Sequence, residues 1–123
     1  PVSREAAAPA NPVLSAIRAG AEKTGVQFDY LKATAERESA LDPNARARTS
    51  SAAGLFQFIE QTWLGLVKSE GARHGLGDYA AAVTQRRDGT LSVPDPALRK
   101  EILALRQDPA VASVMAGVLT QKN

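Results

Sequence analysis

Residues 37–58 read RESALDPNARARTSSAAGLFQF. Glu38 and Ser39 stand at the end of a helical pattern, and Asp42-Pro43 follows them closely. Proline lacks a backbone donor and clashes with the preceding turn, so Pro43 is expected to end that helix. Beyond it come two arginines, a Thr/Ser/Ala cluster and Gly54, and only then Leu55-Phe56-Gln57-Phe58. Residues 43–58 have no helical periodicity, which predicts a loop with an extended piece over 55–58. A core has no use for such a segment, and a surface helix has no reason to stop there. The stretch sets one acid, on a helix end, beside a polar loop closed by glycine.

Helices surround this segment on both sides. Asn11-Pro12 is a good helix start, with Asn as N-cap and Pro at the first helical position. Val13, Ile17 and Ala21 recur at four-residue spacing, and Gly25 supplies the stop. A second helix is predicted after Asp29, carrying Tyr30, Leu31, Ala35 and Glu38. A third covers residues 59–69, with Gly71 closing it. The glycine-rich GARHGLGDYA of residues 71–80 follows a helix rather than a strand, which argues against a phosphate-binding loop. VTQRRDGTLSV, residues 83–93, predicts a short hairpin about Asp88-Gly89. Asp95-Pro96 begins a fourth helix with Leu98, Ile102 and Leu105 inside, and Asp108-Pro109 a fifth. In the fifth, Val111, Val114, Met115, Val118 and Leu119 form a buried stripe. The fold class is therefore mainly α with a small β-hairpin. Residues 1–11 read as a flexible Pro/Ala-rich linker and 12–123 as one domain.

A chain of 123 residues can bury one core without disulfides or metal. Aromatic residues make up 5%, so that core must be mostly Ala, Leu, Val and Ile. The absence of cysteine removes disulfides and thiol catalysis, without separating one compartment from another. No apolar run approaches a membrane span. The opening residues lack the charged and then apolar order of a signal peptide, and read as the tail left after cleavage or as a segment boundary. The net charge of +2 suits a polyanionic partner, and would suit nucleic acid only if concentrated on one face. Arg46 with Arg48 and Arg86 with Arg87 are small local concentrations that read as solvated surface. His74 is the only histidine and has no cysteine partner, so a metal site is not expected, and no organic cofactor is inferred. Trp63 and Phe58 read as core.

Glu38 carries the chemistry. At about 100° per residue, Leu31, Ala35 and Glu38 share one side of the helix, while Glu36 lies about 140° from Leu31 and faces water. A carboxylate on an apolar face either pairs with an arginine or keeps its proton to higher pH. The second condition is what a general acid needs.

Glu38-Ser39, Asp42-Pro43, Ala45, the Thr/Ser cluster and Gly54-Leu55-Phe56-Gln57 resemble the Glu-Ser and Gly-Leu-Met-Gln motifs of lytic transglycosylases. These are bacterial peptidoglycan-cleaving enzymes of lysozyme-like fold. The resemblance covers residues 12–67. It runs more loosely through ILALRQDPAVASVMAG, which is similar to the tail of members tied to flagella and other envelope-spanning machines. It implies a periplasmic enzyme in which Glu38 protonates the bond between N-acetylmuramic acid and N-acetylglucosamine. Glu38 then acts as base on the muramic 6-hydroxyl, giving a 1,6-anhydro product. Glycan strands, and components of a flagellar or secretion apparatus, are the implied partners. Substrate contacts carry over to Gln57, Gly54 and Phe56, with Ser39 divided between substrate and the helix-end backbone. Gly54 is read as a close approach to substrate or to the Glu38 helix. Asp42 reads as a turn residue rather than a second catalyst. Arg46 and Arg48 are read either as surface or as contacts to peptide-stem carboxylates.

Three positions and one missing motif depart from the family pattern. Phe56 stands for Met, Asp42 for Asn, and Ala47 where a serine often follows, so Thr49 or Ser50 would have to substitute for it. The downstream tyrosine motif has no counterpart, because Tyr30 and Tyr79 lack its context. The expectation is a C-terminally truncated domain or a groove completed by a second chain. Two rivals remain: a goose-lysozyme-like hydrolase on the same fold, and a non-catalytic glycan-binding or scaffold module.

Overall fold

The computed structural model describes residues 11–123. The linker expected over 1–11 lies outside the described residues except for Asn11, which caps the first helix. Six α-helices follow in chain order: α1 (Pro12–Thr24), α2 (Phe28–Ser39), α3 (Glu60–Glu70), α4 (Gly77–Ala82), α5 (Pro96–Ala104) and α6 (Pro109–Lys122). Short 3₁₀ turns at Gly71–His74 and Leu105–Gln107 extend α3 and α5. Between α4 and α5, β1 (Thr84–Gln85) and β2 (Leu91–Ser92) pair antiparallel, Thr84 opposite Ser92 and Gln85 opposite Leu91. Asp88 accepts from the Thr90 amide and Gly89 has φ 90°, so the expected turn dipeptide does close this hairpin.

Three helices begin as their Asx-Pro pairs predict. The side-chain oxygens of Asn11, Asp95 and Asp108 each accept from two backbone amides of the first turn, with proline at the first helical position. The other helices differ from expectation in instructive ways. α2 begins at Phe28 rather than after Asp29, behind an extended Gln27. It ends at Ser39, well before Pro43, because Ala40 and Leu41 turn left-handed at φ 53° and 63°. The Ala40 and Leu41 amides close back on Glu36 and Ala35. α4 was not expected; its six residues bury no side chain fully and give no apolar periodicity to read.

α6 is the centre of the fold. Residues 112–118 are all buried, so the helix is enclosed on every side rather than along the single stripe its sequence predicted. It packs lengthwise on α1, and small residues let the two backbones approach. A Cβ at Gly20 would lie 2.7 Å from the Ser113 carbonyl carbon, and one at Gly117 would lie 2.2 Å from Thr24 Oγ1. The Thr24 hydroxyl donates to the Gly20 carbonyl at 2.8 Å, which satisfies it inside the seam. Trp63 is wholly buried, as expected. Its Nε1 donates to the Ile102 carbonyl at 2.9 Å, and its ring centroid lies 5.1 Å from that of Phe58.

Candidate active site

An open cleft of about 290 Å³ runs between α2, the loop before α3, and the C-terminal half of α6. Tyr30, Thr34 and Glu38 recur at four-residue spacing along α2, so all three reach the cleft, joined by Leu31. Residues 56–59 and Thr62 form the facing wall. Ala116, Leu119, Thr120 and Asn123 close the side given by α6.

Glu38 stands neither against an arginine nor in an apolar pocket. Among the described residues it has no ion-pair partner, so no guanidinium neutralises it. It is also solvent-exposed rather than held in a dry pocket. The reason is its place in the last turn of α2, where the carboxylate stands at the open side of the cleft while Leu31 and Ala35 take the core. Glu36 faces water and pairs with Lys32 at 3.4 Å, as its helical phase predicts.

The facing wall is a turn. Ala53 and Phe58 exchange amide and carbonyl at 3.2 Å each, and the Gln57 amide returns to the Gly54 carbonyl. The expected extended piece over 55–58 is thus reduced to isolated bridges that join Ala53 to Arg46 and to Phe58. Phe56 and Gln57 line the cleft. Gln57 adopts φ 52°, and its amide nitrogen donates to the carbonyls of Ala45 and Gly54 at 3.1 and 2.9 Å. Its Oε1 accepts nothing from the described residues and remains a possible acceptor for a ligand.

The other expected contacts lie away from the cleft lining. Ser39 directs its hydroxyl at backbone, 2.8 Å from the Leu55 carbonyl and 3.0 Å from that of Ala35. It ties the end of α2 to the facing turn. Gly54 is buried, and the close approach the structure gives it is to the Arg106 backbone rather than to α2. A Cβ there would lie 1.9 Å from the Arg106 carbonyl oxygen. Thr49 and Ser50 are exposed, and the Ser50 hydroxyl accepts from the Ala52 amide. Asp42 accepts from the Asn44 amide at 2.9 Å, a turn contact of the kind its sequence suggests.

One residue that sequence reasoning passed over holds the turn in place. Arg106 is 5% exposed. Its Nη1 donates to the carbonyls of Ser51 at 2.6 Å and Phe58 at 3.0 Å, and its Nε to that of Leu103 at 2.8 Å. Burial lowers its guanidinium below the ordinary arginine range; Arg46 and Arg99 add to that, and Glu60 opposes it. Nothing in the sequence marks a contact reaching back from residue 106 to residue 51. Tyr30 and Ile59 were also missed as cleft residues, although both are large, apolar in part, and 55% and 45% exposed. The Tyr30, Thr34, Glu38 spacing was the available signal.

An α-rich domain with one small hairpin, and a glutamate facing a Gly-Leu-Phe-Gln turn across an open cleft, is a lysozyme-like α+β domain. The family model described as the transglycosylase SLT domain matches residues 15–85, which include both the Glu38-Ser39 pair and that turn. The chain belongs to this family. Its function is accordingly of the lytic-transglycosylase type, directed at peptidoglycan, a substrate found outside the cytoplasm. Among the described residues, no single helix is long and apolar enough to cross a membrane, and no group of His, Cys, Asp and Glu is placed to hold a metal.

Proposed function

We propose that residues 12–123 act as one lytic transglycosylase unit with Glu38 as the sole acid/base. The supporting observation is that Glu38 is the one acid among the described residues that line the cleft. Glycosidases that work with two carboxylates need a second at a defined separation. Asp42, the other acid of the motif, is engaged in its turn. With one carboxyl group, the proton cycle can close on the substrate's own hydroxyl. Glu38 donates its proton to the glycosidic oxygen as the bond to the muramic C1 breaks. The resulting carboxylate takes the proton of the muramic 6-hydroxyl as that oxygen attacks C1. The carboxyl group is regenerated and no water is consumed.

Glu38 is exposed at the cleft. A sugar lying against Tyr30, Ile59 and Leu119 would cover the side of the cleft at which Glu38 stands and exclude solvent from the reacting bond. Gln57 Oε1 and the hydroxyls of Tyr30, Thr34 and Thr62 supply polar contacts. The periplasm, beside a flagellar or other envelope-spanning machine, is the proposed setting. It is supported by the resemblance of the tail at ILALRQDPAVASVMAG.

Digestion of sacculi tests the reading. Products from the wild-type chain should carry 1,6-anhydro ends, one water lighter than hydrolytic ends by mass spectrometry. Glu38→Gln should lower turnover by about a thousandfold and leave the melting temperature unchanged, because the side chain is exposed. Hydrolytic ends would favour the lysozyme-like rival. Sacculus binding with no turnover by either chain would favour the binding module.

A further inference from the structure

Ile59 lines the cleft, and Glu60, next in the chain, lines a second cavity of about 530 Å³ against α5 and the Leu105–Gln107 turn. Four cations border this cavity: Arg46, Arg99, Lys100 and Arg106. Its single acid, Glu60, is already engaged, 2.6 Å from Arg99. Arg46 and Lys100 have no ion-pair partner among the described residues. Arg106 is buried with carbonyl oxygens alone as acceptors, and its Nη2 makes no hydrogen bond to them. That leaves a guanidinium donor free, while Glu60, the carboxylate that acts on Arg106, is already paired with Arg99, so an anion entering the cavity would complete the arrangement.

We propose that this cavity binds a carboxylate of the acidic peptide stems borne by the glycan strand whose sugars occupy the cleft, an assignment that rests on the reading of the cleft above. An extended peptide spans about 3.3–3.6 Å per residue, so a stem of a few residues can cross the single-residue boundary between Ile59 and Glu60. Binding there has a route to the cleft wall, because Arg106 also holds the carbonyls of Ser51 and Phe58. Of the two arginines singled out in the sequence, Arg46 borders this cavity and Arg48 does not.

The test titrates the full chain at low salt with three probes: an isolated acidic stem peptide, the same peptide with its carboxylates amidated, and inorganic phosphate. Arginine side-chain NMR resonances report binding. The acidic peptide should shift Arg106 saturably and the amidated one should not. Phosphate should bind at least tenfold more weakly than the acidic peptide. The double variant Arg46→Ala, Lys100→Ala should weaken the acidic peptide about tenfold and melt like the wild type, since both side chains are exposed. On stem-bearing strands that variant should raise KM about tenfold at unchanged kcat, with stem-stripped strands unaffected. Equal binding of phosphate and peptide, no shift with the acidic peptide, or an equal loss on both kinds of strand each overturns the assignment. A wild-type chain that turns over neither kind of strand counts against the Glu38 mechanism, and the peptide titration still decides the cavity.

Discussion

The α1–α6 pair and the loop over residues 40–58 hold their shapes by opposite means. Between α1 and α6 the contact is steric. Gly20 meets Ser113, Gly117 meets Thr24, and the buried side chains of α6 fill what remains. In the loop the contact is polar, and it runs through carbonyl groups. Arg106 donates to Ser51 and Phe58, Ser39 to Leu55, and Gln57 to Ala45 and Gly54. Packing of the first kind forgives small shifts of phase along a helix. A turn pinned at five carbonyls does not, and such a turn is suited to hold one wall of a cleft opposite Glu38.

Gly54 is where the two kinds of restraint meet, so Gly54→Ala should have the largest effect. The new Cβ would fall 1.9 Å from backbone oxygen of Arg106, at a residue whose φ is 86°. The left-handed strain and the forced shift together predict a loss of about 2–5 kcal/mol by denaturant unfolding. Turnover should fall even in the fraction that remains folded, because Phe56 and Gln57 move with the turn. Gly117→Ala is the matched change in the helical half. Its Cβ would crowd Thr24 Oγ1, Cγ2 and Cβ together, the last two at 2.8 and 2.9 Å, so rotation of Thr24 does not clear it and α1 and α6 must move slightly apart, which predicts a loss of about 1–3 kcal/mol. Turnover per folded molecule should be retained. If Gly117→Ala instead abolished turnover while Gly54→Ala spared it, the assignment of the loop as the cleft wall would be wrong.

The same contrast separates what the sequence makes legible from what it conceals. The Asx-Pro helix starts, the Asp88-Gly89 hairpin and the core role of Trp63 are local or periodic, and each can be read from neighbouring residues. Glu38 and the Gly-Leu-Phe-Gln turn are legible as a motif, and the structure brings Glu38, Phe56 and Gln57 to one cleft. The end of α2 is less legible, because Ala40 and Leu41 are not residues that announce a left-handed pair. Arg106 is illegible, since the choice of a carbonyl acceptor 55 positions away leaves no trace in either segment. The burial expected for Glu38 failed for a related reason. Helical phase fixes the direction of a side chain, and only the tertiary fold says whether that direction leads to core or to a cleft.

Ser39→Ala probes a single one of the loop's restraints. It removes the donor to the Leu55 carbonyl and leaves the other ties intact. The expected loss is about 1 kcal/mol, with a fall in kcat that exceeds any rise in KM, because the variant loosens the facing wall without touching sugar. Ser39→Thr keeps the hydroxyl and should restore most of the rate. A Ser39→Ala chain with normal stability but a large rise in KM would favour a direct contact between Ser39 and substrate.

The smallest effect should come from a charge contact that ties α3 to α6. Glu70, at the end of α3, accepts from Lys122 of α6 at 3.3 Å and from Arg73 at 3.0 Å. The Lys122 hydrogen bond and the two nearby charges hold its carboxyl group below the ordinary value of 4.5, against a smaller effect of burial that raises it. A carboxylate whose folded-state value is depressed stabilises the fold above its unfolded value, and that contribution disappears as pH falls through the folded value. Wild type and Glu70→Gln should therefore differ slightly in melting temperature at neutral pH, converge as the pH drops below 4.5, and converge also in high salt at neutral pH. A difference that persists unchanged in acid would mean that the tie between α3 and α6 depends on shape alone, like the rest of the helical half.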